Sequence, residues 1–452
     1  VTGRRGYRAR WVLPISAPPI PDGVVVVDGE RIAVVGSAAT VADTLPCIDL
    51  GDAVLLPGLV NAHSHLELTA MRGLLEGLEF RDWLRMLTVA RRDVFDPPTL
   101  LDASLHGLHE GLRHGITTYA DTTESGVPLE AMRLAGVRGI GYLELFGPDP
   151  AQCEASVADA RARVAVARAS DTARVKAGVS PHAPYTVSTD LFRAVADWVR
   201  EDPMPLAVHI AESTAEHRFV AEGAGPFAER LRERRIAVQP SARSPIALLE
   251  ATGILDARPL LIHAIRADEA DLAAVARAGA SIVHCPISNA KLGHGIAPLD
   301  RMLAHGIPTG LGTDSVASND RMDLLGEARQ AVLLQGVRLQ RPDPLTAHDV
   351  LRLATLGGAE ALGLGAEIGS LTPGKLADLA AFPLSRAETV PLYDPAVALV
   401  HILAGAVTAS LVLVGGVPLV RDGVVLGADP GLPGRLVEVG ARLADWRSRA
   451  DA

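Results

Sequence analysis

The stretch Pro57-Gly-Leu-Val-Asn-Ala-His-Ser-His-Leu66 puts His63 and His65 two positions apart. Read as a strand, it points side chains two apart to one face, so both imidazoles address one point, as a pair of metal ligands must. Two histidines alone are a weak signal. They gain weight because later apolar runs end in residues of the same chemistry. In 206–213, Leu206, Val208 and Ile210 alternate with Ala207, His209 and Ala211, so the bulky set faces outward and His209 inward. In 260–264, Leu261 and His263 fall on the inner face, and in 309–314 Gly310, Gly312 and Asp314 do. Taken singly, each reads as a hydrogen-bonded core histidine or a helix N-cap aspartate. Together they set His63, His65, His209, His263 and Asp314 on strand ends with one parity, where polar side chains without partners are rare. Imidazoles gathered with a carboxylate suit zinc or iron.

The elements that must position these groups follow a βα rhythm. Short apolar runs at 59–65, 116–121, 139–145, 175–179, 206–210, 260–264, 281–285 and 309–314 alternate with longer Ala/Leu/Arg-rich helical stretches. This predicts an α/β protein with a (β/α)8 TIM barrel over residues 57–365, whose reactive groups sit at the C-terminal strand ends. Residues 1–56 read as β structure, with a hairpin around Asp28-Gly29. Strand chemistry returns over 366–452, with a closing helix near 434–450. The two chain ends are therefore expected to share one small β-sandwich domain.

Composition narrows the function classes. The chain has 452 residues, 48% hydrophobic and 21% charged, with net charge −10. No basic surface argues for nucleic acid. No apolar run reaches membrane-spanning length, and the sparse cysteines Cys47, Cys153 and Cys285 fit a reducing compartment, so a soluble cytoplasmic protein is expected. The lysines are Lys176, Lys291 and Lys375.

His63-Ser-His65, His209-Ile-Ala-Glu212, His263-Ala264 and Gly312-Thr-Asp-Ser315 together resemble the amidohydrolase superfamily, in the branch of cytosine deaminases, adenosylhomocysteine deaminases and chlorohydrolases. The likeness covers nearly the whole chain, including Pro373-Gly-Lys-Leu-Ala-Asp378. It implies one divalent ion, zinc or iron, held by His63, His65, His209 and Asp314. It makes Asp314 a proton acceptor, His263 an orienting group and Glu212 the acid that protonates a ring nitrogen. Without the resemblance, Glu212 reads as a first-turn helix acid. Binuclear relatives carry a carboxylated lysine near the end of strand four. Lys176 stands at that strand's start, which argues for one ion.

The resemblance also assigns a pocket. His182 of Pro181-His-Ala-Pro-Tyr185 and the segment His284-Cys-Pro-Ile-Ser-Asn289 are expected to contact substrate, although the Pro and Asn also suit a plain turn. Trp83 either stacks on a ring or packs a helix. Adenosine-type relatives place a ribose-binding Glu nine residues past the equivalent of Trp83, where this chain has Arg92. The segment Tyr142-Leu-Glu144-Leu-Phe-Gly-Pro-Asp149 instead resembles aminodeoxyfutalosine deaminases, whose substrate carries a benzoate that an arginine would pair. The expected activity is a metal-dependent hydrolytic deamination of an amino-purine nucleoside or similar heterocycle, with aminodeoxyfutalosine first. The partner is then a small heterocyclic molecule, and a homo-oligomer is compatible. Rival readings are hydrolysis of another C–N or a C–Cl bond, as in a chlorotriazine or cyclic amide, and a barrel kept only for assembly.

Overall fold

The computed structural model describes residues 3–41, 46–342 and 344–450. Apolar runs buried on both faces form eight parallel strands: Leu59–Ser64, Ile116–Thr123, Arg138–Leu145, Val175–Pro181, Ala207–Ile210, Leu260–His263, Ser281–His284 and Thr309–Leu311. We call them barrel strands one to eight. Strands one to four and five to eight pair continuously as two four-stranded sheets. Two seams close them into the barrel. Between strands four and five, Val179 pairs with Leu206 and the His209 amide donates to the His182 carbonyl at 2.9 Å. Between strands eight and one, Ser64 pairs with Asp314, whose amide donates to the His63 carbonyl at 3.0 Å. Both seams thus run through residues of the candidate site.

Side-chain parity departs from simple alternation at two strands. Val60 and Ala62 pack with Ala120, Ile140, Ala207 and Val283, residues of strands two, three, five and seven that fill the lumen. The pairing of strand one with strand two then slips between Asn61 and Ser64. A bulge of this kind re-aims the residues after it, and His63 and His65 both come to address the barrel mouth. In strand six, Leu260 and Ile262 pack in the lumen and Leu261 packs outward with Leu272 and Val275, the reverse of the expected parity. His263 still reaches the mouth because its backbone turns left-handed, at φ 75°.

The chain ends meet in a nine-stranded sheet. Arg4–Val12, Ile20–Asp28, Arg31–Ser37 and Ala53–Pro57 join Leu379–Pro383, Leu411–Val414 and Val417–Arg421. The hydrogen bonding is that of one continuous sheet, because Leu379–Pro383 pairs antiparallel with Ala53–Pro57 and joins the two halves edge to edge. The N-terminal hairpin turns at Gly29-Glu30, one residue later than expected, since Asp28 pairs with Arg31. The last helix, Leu432–Ala450, packs Val439, Leu443 and Trp446 against Met86 and Ala90 of the helix Phe80–Val94. Among the described residues no helix is long and apolar enough to cross a membrane.

One buried ion pair fixes the sheet to the barrel. Arg138, at the start of strand three, donates to Asp378 Oδ2 at 2.9 Å, and Asp378 Oδ1 accepts from the Gly415 amide at 2.7 Å. Removing one partner leaves the other charge buried and unpaired. We expect Asp378→Ala to destabilise the protein by about 3–5 kcal/mol in denaturant titration. A loss under about 1 kcal/mol would show that this pair does not join the two parts.

Candidate active site

The barrel mouth gathers the expected groups. Nε2 of His63 lies 3.1 Å and Nε2 of His65 3.5 Å from Asp314 Oδ1. The His63 ring centre is 4.9 Å from that of His65, 5.0 Å from His209 and 5.8 Å from His263. Gly312 makes this approach possible, since a Cβ there would sit 2.9 Å from His63 Cβ. Asp314 lies past the end of strand eight in the left-handed region, at φ 58°. Ala211, between His209 and Glu212, is also left-handed, at φ 52°. Backbone of this kind costs energy in non-glycine residues and persists where its surroundings hold it.

The surroundings do hold it. Ser288 Oγ donates to Asp314 Oδ2 at 2.6 Å. Asn289 Oδ1 lies 3.0 Å from His263 Nδ1, so Nδ1–H donates and Nε2 keeps its lone pair toward the mouth. Both holders come from the short helix Pro286–Lys291 that follows strand seven. Glu216 accepts the amides of Ala211 and Glu212, at 2.8 and 2.7 Å, and so fixes the turn that carries Glu212. Asp121 does the same after strand one, accepting from Ser64 Oγ at 2.9 Å and from the Leu66 amide at 2.6 Å.

Electrostatics follow from burial. Desolvation pushes His65 down to about 3 and His182 down to about 4 and lowers His63 and His209, so these rings are neutral near pH 7. The His63–Asp314 contact is therefore a hydrogen bond rather than an ion pair. Burial opposes charge on Asp314, but the hydrogen bond from His63 and the nearby imidazoles outweigh it and hold its carboxyl well below the usual range. Glu212 shows the same balance, with His263 and His294 prevailing over burial. Neutral imidazoles and an ionised carboxylate are the forms that bind a metal. The donor atoms of His63, His65 and His209 lie within 4.8 Å of one another, as do those of His63, His263 and Asp314. His209 Nδ1 is buried with no protein partner. These residues fit a divalent ion.

A cavity opens over this floor. Its walls include Leu68, Phe80, Trp83, Leu84, Leu87 and Phe146, and its polar lining includes Glu67, Arg91, Glu144, His182 and Glu212. Trp83, Glu144 and His182 thus lie where a substrate would contact them. Arg92 does not. Its side chain is 71% exposed and pairs with Asp93 at 2.9 Å. The cavity arginine is Arg91, tied to Glu67 at 3.0 Å and Glu124 at 2.6 Å. His284 is fully buried and outside the cavity lining, and Asn289 serves His263 from behind. Lys176 is exposed at the start of strand four.

This geometry can be set beside known proteins. A model of the Amidohydrolase family matches residues 54–418. The chain belongs to the amidohydrolase family. It is accordingly a hydrolase of carbon–nitrogen bonds other than peptide bonds. The 5-methylthioadenosine/S-adenosylhomocysteine deaminase of Syntrophobacter fumaroxidans is 34% identical over 387 residues, covering 84% of each chain. An adenosine deaminase from Xanthomonas campestris with bound zinc superposes with TM-score 0.86 at 28% identity, covering 98% of each chain. Atrazine chlorohydrolase from Arthrobacter aurescens, complexed with zinc, superposes with TM-score 0.81 at 26% identity, covering 97% of this chain and 99% of that one.

Several residues that shape this amidohydrolase site carry no sequence signal of their own. Glu216 reads as a first-turn helix acid, Ser288 as turn chemistry and Arg91 as a surface helix residue. Each matters only through contacts that the fold creates.

The cavity wall yields a pH test. Burial, with Glu67 and Glu124 nearby, pushes Glu144 up to about 8. An acid raised in the folded chain contributes stability that is complete below its unfolded value, 4.5, and is lost as pH rises to about 8. Glu144→Gln cannot ionise. Its melting temperature should therefore rise relative to the parent between pH 5 and pH 8. A difference that stays flat over that range would mean Glu144 ionises normally.

Proposed function

We propose that this amidohydrolase is a metal-dependent hydrolytic deaminase of an amino-purine nucleoside. The observation that carries the reading is Glu212. It lines the cavity beside His263, three residues from His209, and precedes rather than joins the next helix, Thr214–Glu222. A first-turn acid has no need of that place. An acid that must reach both a substrate ring and an attacking water does.

His63, His65, His209 and Asp314 would hold one divalent ion, zinc first and iron second, which supplies Lewis acidity that makes water a nucleophile near neutral pH. Asp314 accepts a proton from the attacking water. His263, its Nδ1 held by Asn289, orients that water through Nε2. Glu212, whose carboxyl His263 and His294 keep low, takes the other proton of that water and, as the acid so formed, gives it to the ring nitrogen beside the carbon under attack. A proton then passes to the leaving amine, so that water and the amino-heterocycle become the hydroxy-heterocycle and ammonia. Phe80 and Trp83 form an aromatic wall against which a flat ring can lie, their own rings near-parallel at 17°. Glu144, whose Oε1 is buried without a protein partner, is the group we assign to a substrate hydroxyl.

The cavity wall also ranks substrates. Arg92 faces solvent, so the argument that it pairs a substrate carboxylate lapses. Arg91 is in the cavity but already answers two carboxylates. An uncharged nucleoside with an apolar 5′ substituent suits this lining, in keeping with the name of the Syntrophobacter relative. Aminodeoxyfutalosine is the second candidate, with Arg91 as the partner for its carboxylate. The unpaired cysteines accord with a reducing, cytoplasmic setting.

Two measurements test this. Metal analysis of enzyme made in zinc-supplemented medium should find about one ion per chain. Glu212→Gln should keep that ion and lose at least about a hundredfold in kcat, because an amide cannot donate as an acid does. Near-full activity in Glu212→Gln removes the acid role. For substrate, ammonia release should favour 5′-methylthioadenosine over aminodeoxyfutalosine. If the carboxylated substrate leads, and Arg91→Gln costs it alone about ten- to a hundredfold in kcat/KM, the order reverses. Chloride release from a chlorotriazine without ammonia release from any nucleoside would overturn the deaminase reading.

A further inference from the structure

The mechanism above leaves the buried imidazole of His294 unused. His294 is 5% exposed and lies outside every expected role. Its Nε2 is 3.4 Å from Glu212 Oε1, and that nitrogen has no well-aligned protein partner. The loop is built to hold it there. Gly293 and Gly295 flank it at φ 71° and 104°, conformations that side chains rarely adopt. The His294 amide donates to the Asn289 carbonyl at 2.9 Å, and its own carbonyl accepts from Arg266 at 2.8 Å. The ring then packs edge-on against Phe80 of the cavity wall, with centres 4.4 Å apart.

Asn289 therefore sets both imidazoles that flank Glu212. Its side chain holds His263 and its carbonyl holds the backbone of His294. The two rings are not equivalent donors. His263 spends its N–H on Asn289, so its Nε2, 3.6 Å from Glu212 Oε1, presents a lone pair. His294 is the flanking ring free to donate. Both rings address the same oxygen, Oε1, which leaves Oε2 for the reactants.

We propose that His294 is a positioning residue for Glu212: its Nε2–H holds Oε1 and turns Oε2 toward the substrate ring. This rests on the reading of Glu212 as the acid. It adds no proton to the reaction and changes none of its balance. His294 is not itself among the residues that line the cavity, so its loss should act on turnover rather than on binding.

The test uses the full-length, zinc-loaded enzyme with His294→Leu and His294→Gln. His294→Leu keeps the packing on Phe80 and removes the donor. His294→Gln offers an amide N–H in its place. On 5′-methylthioadenosine, His294→Leu should lower kcat by at least about tenfold, less than loss of the acid itself, with KM within about threefold. His294→Gln should recover most of that loss, and zinc content and melting temperature should match the parent in both. A kcat within twofold of the parent in His294→Leu, an equal loss in both variants, or a change confined to KM would overturn the proposal. A second measurement needs no turnover. In protein labelled with ¹⁵N-histidine, the Nε2–H signal that disappears in His294→Gln should shift in Glu212→Gln, where its acceptor changes. A signal that does not move overturns the contact. A parent enzyme that releases no ammonia from any nucleoside overturns the proposed function instead, and the NMR result still decides the contact.

Discussion

The barrel mouth depends on keeping one carboxylate, Asp314, ionised where almost no water reaches it. Burial alone would drive such a group to its neutral form. Here it is held down by the His63 hydrogen bond, by surrounding imidazoles and by the Ser288 hydroxyl. The arrangement is an acceptor set made ready before any ligand arrives. It also explains the left-handed backbone at Asp314. The residue must leave the strand line to turn its carboxylate inward, and the seam bond to the His63 carbonyl holds it in that turn.

The same economy recurs at the other strand ends. Glu216 uses both carboxylate oxygens on consecutive amides, which stabilises the left-handed Ala211 and aims Glu212. The helix after strand seven holds Asp314 through Ser288 and His263 through Asn289. Residues that would meet the reactants and residues that hold them thus sit on separate elements, one facing the cavity and one behind it. Farther out, Trp446 Nε1 donates to Asp93 at 3.2 Å, so the last helix braces the helix that carries Trp83 and Arg91. The small sheet's far end of the chain in this way reaches the cavity wall.

The eight strands were legible in the sequence because strands buried on both faces leave apolar runs that no helix periodicity explains. His209 followed from alternation, whereas Asp314 lies past the end of its strand and reaches the mouth through a left-handed turn. His263 reaches it in a like way, since alternation in strand six runs the other way and a left-handed residue corrects it. His63 and His65 needed a bulge that no residue type announces. Second-row groups such as Ser288, Glu216 and His294 were invisible, because their chemistry is ordinary and their contacts span the chain.

The arginine on the cavity helix shows what a small error of phase does to a functional reading. Successive residues on an α-helix point about 100° apart. Moving the guanidinium from position 92 to position 91 carries it from solvent to the cavity wall. It also changes what the charge can do. At 92 it would be a free cation awaiting an anion. At 91 it lies between Glu67 and Glu124, with Glu144 close by, and its charge is spent within the protein. A substrate carboxylate would have to displace one of these partners, and the exchange of one carboxylate for another yields little net free energy. An uncharged ligand meets no such competition. Specificity at this wall therefore turns on which acids already hold Arg91, and not on the presence of an arginine.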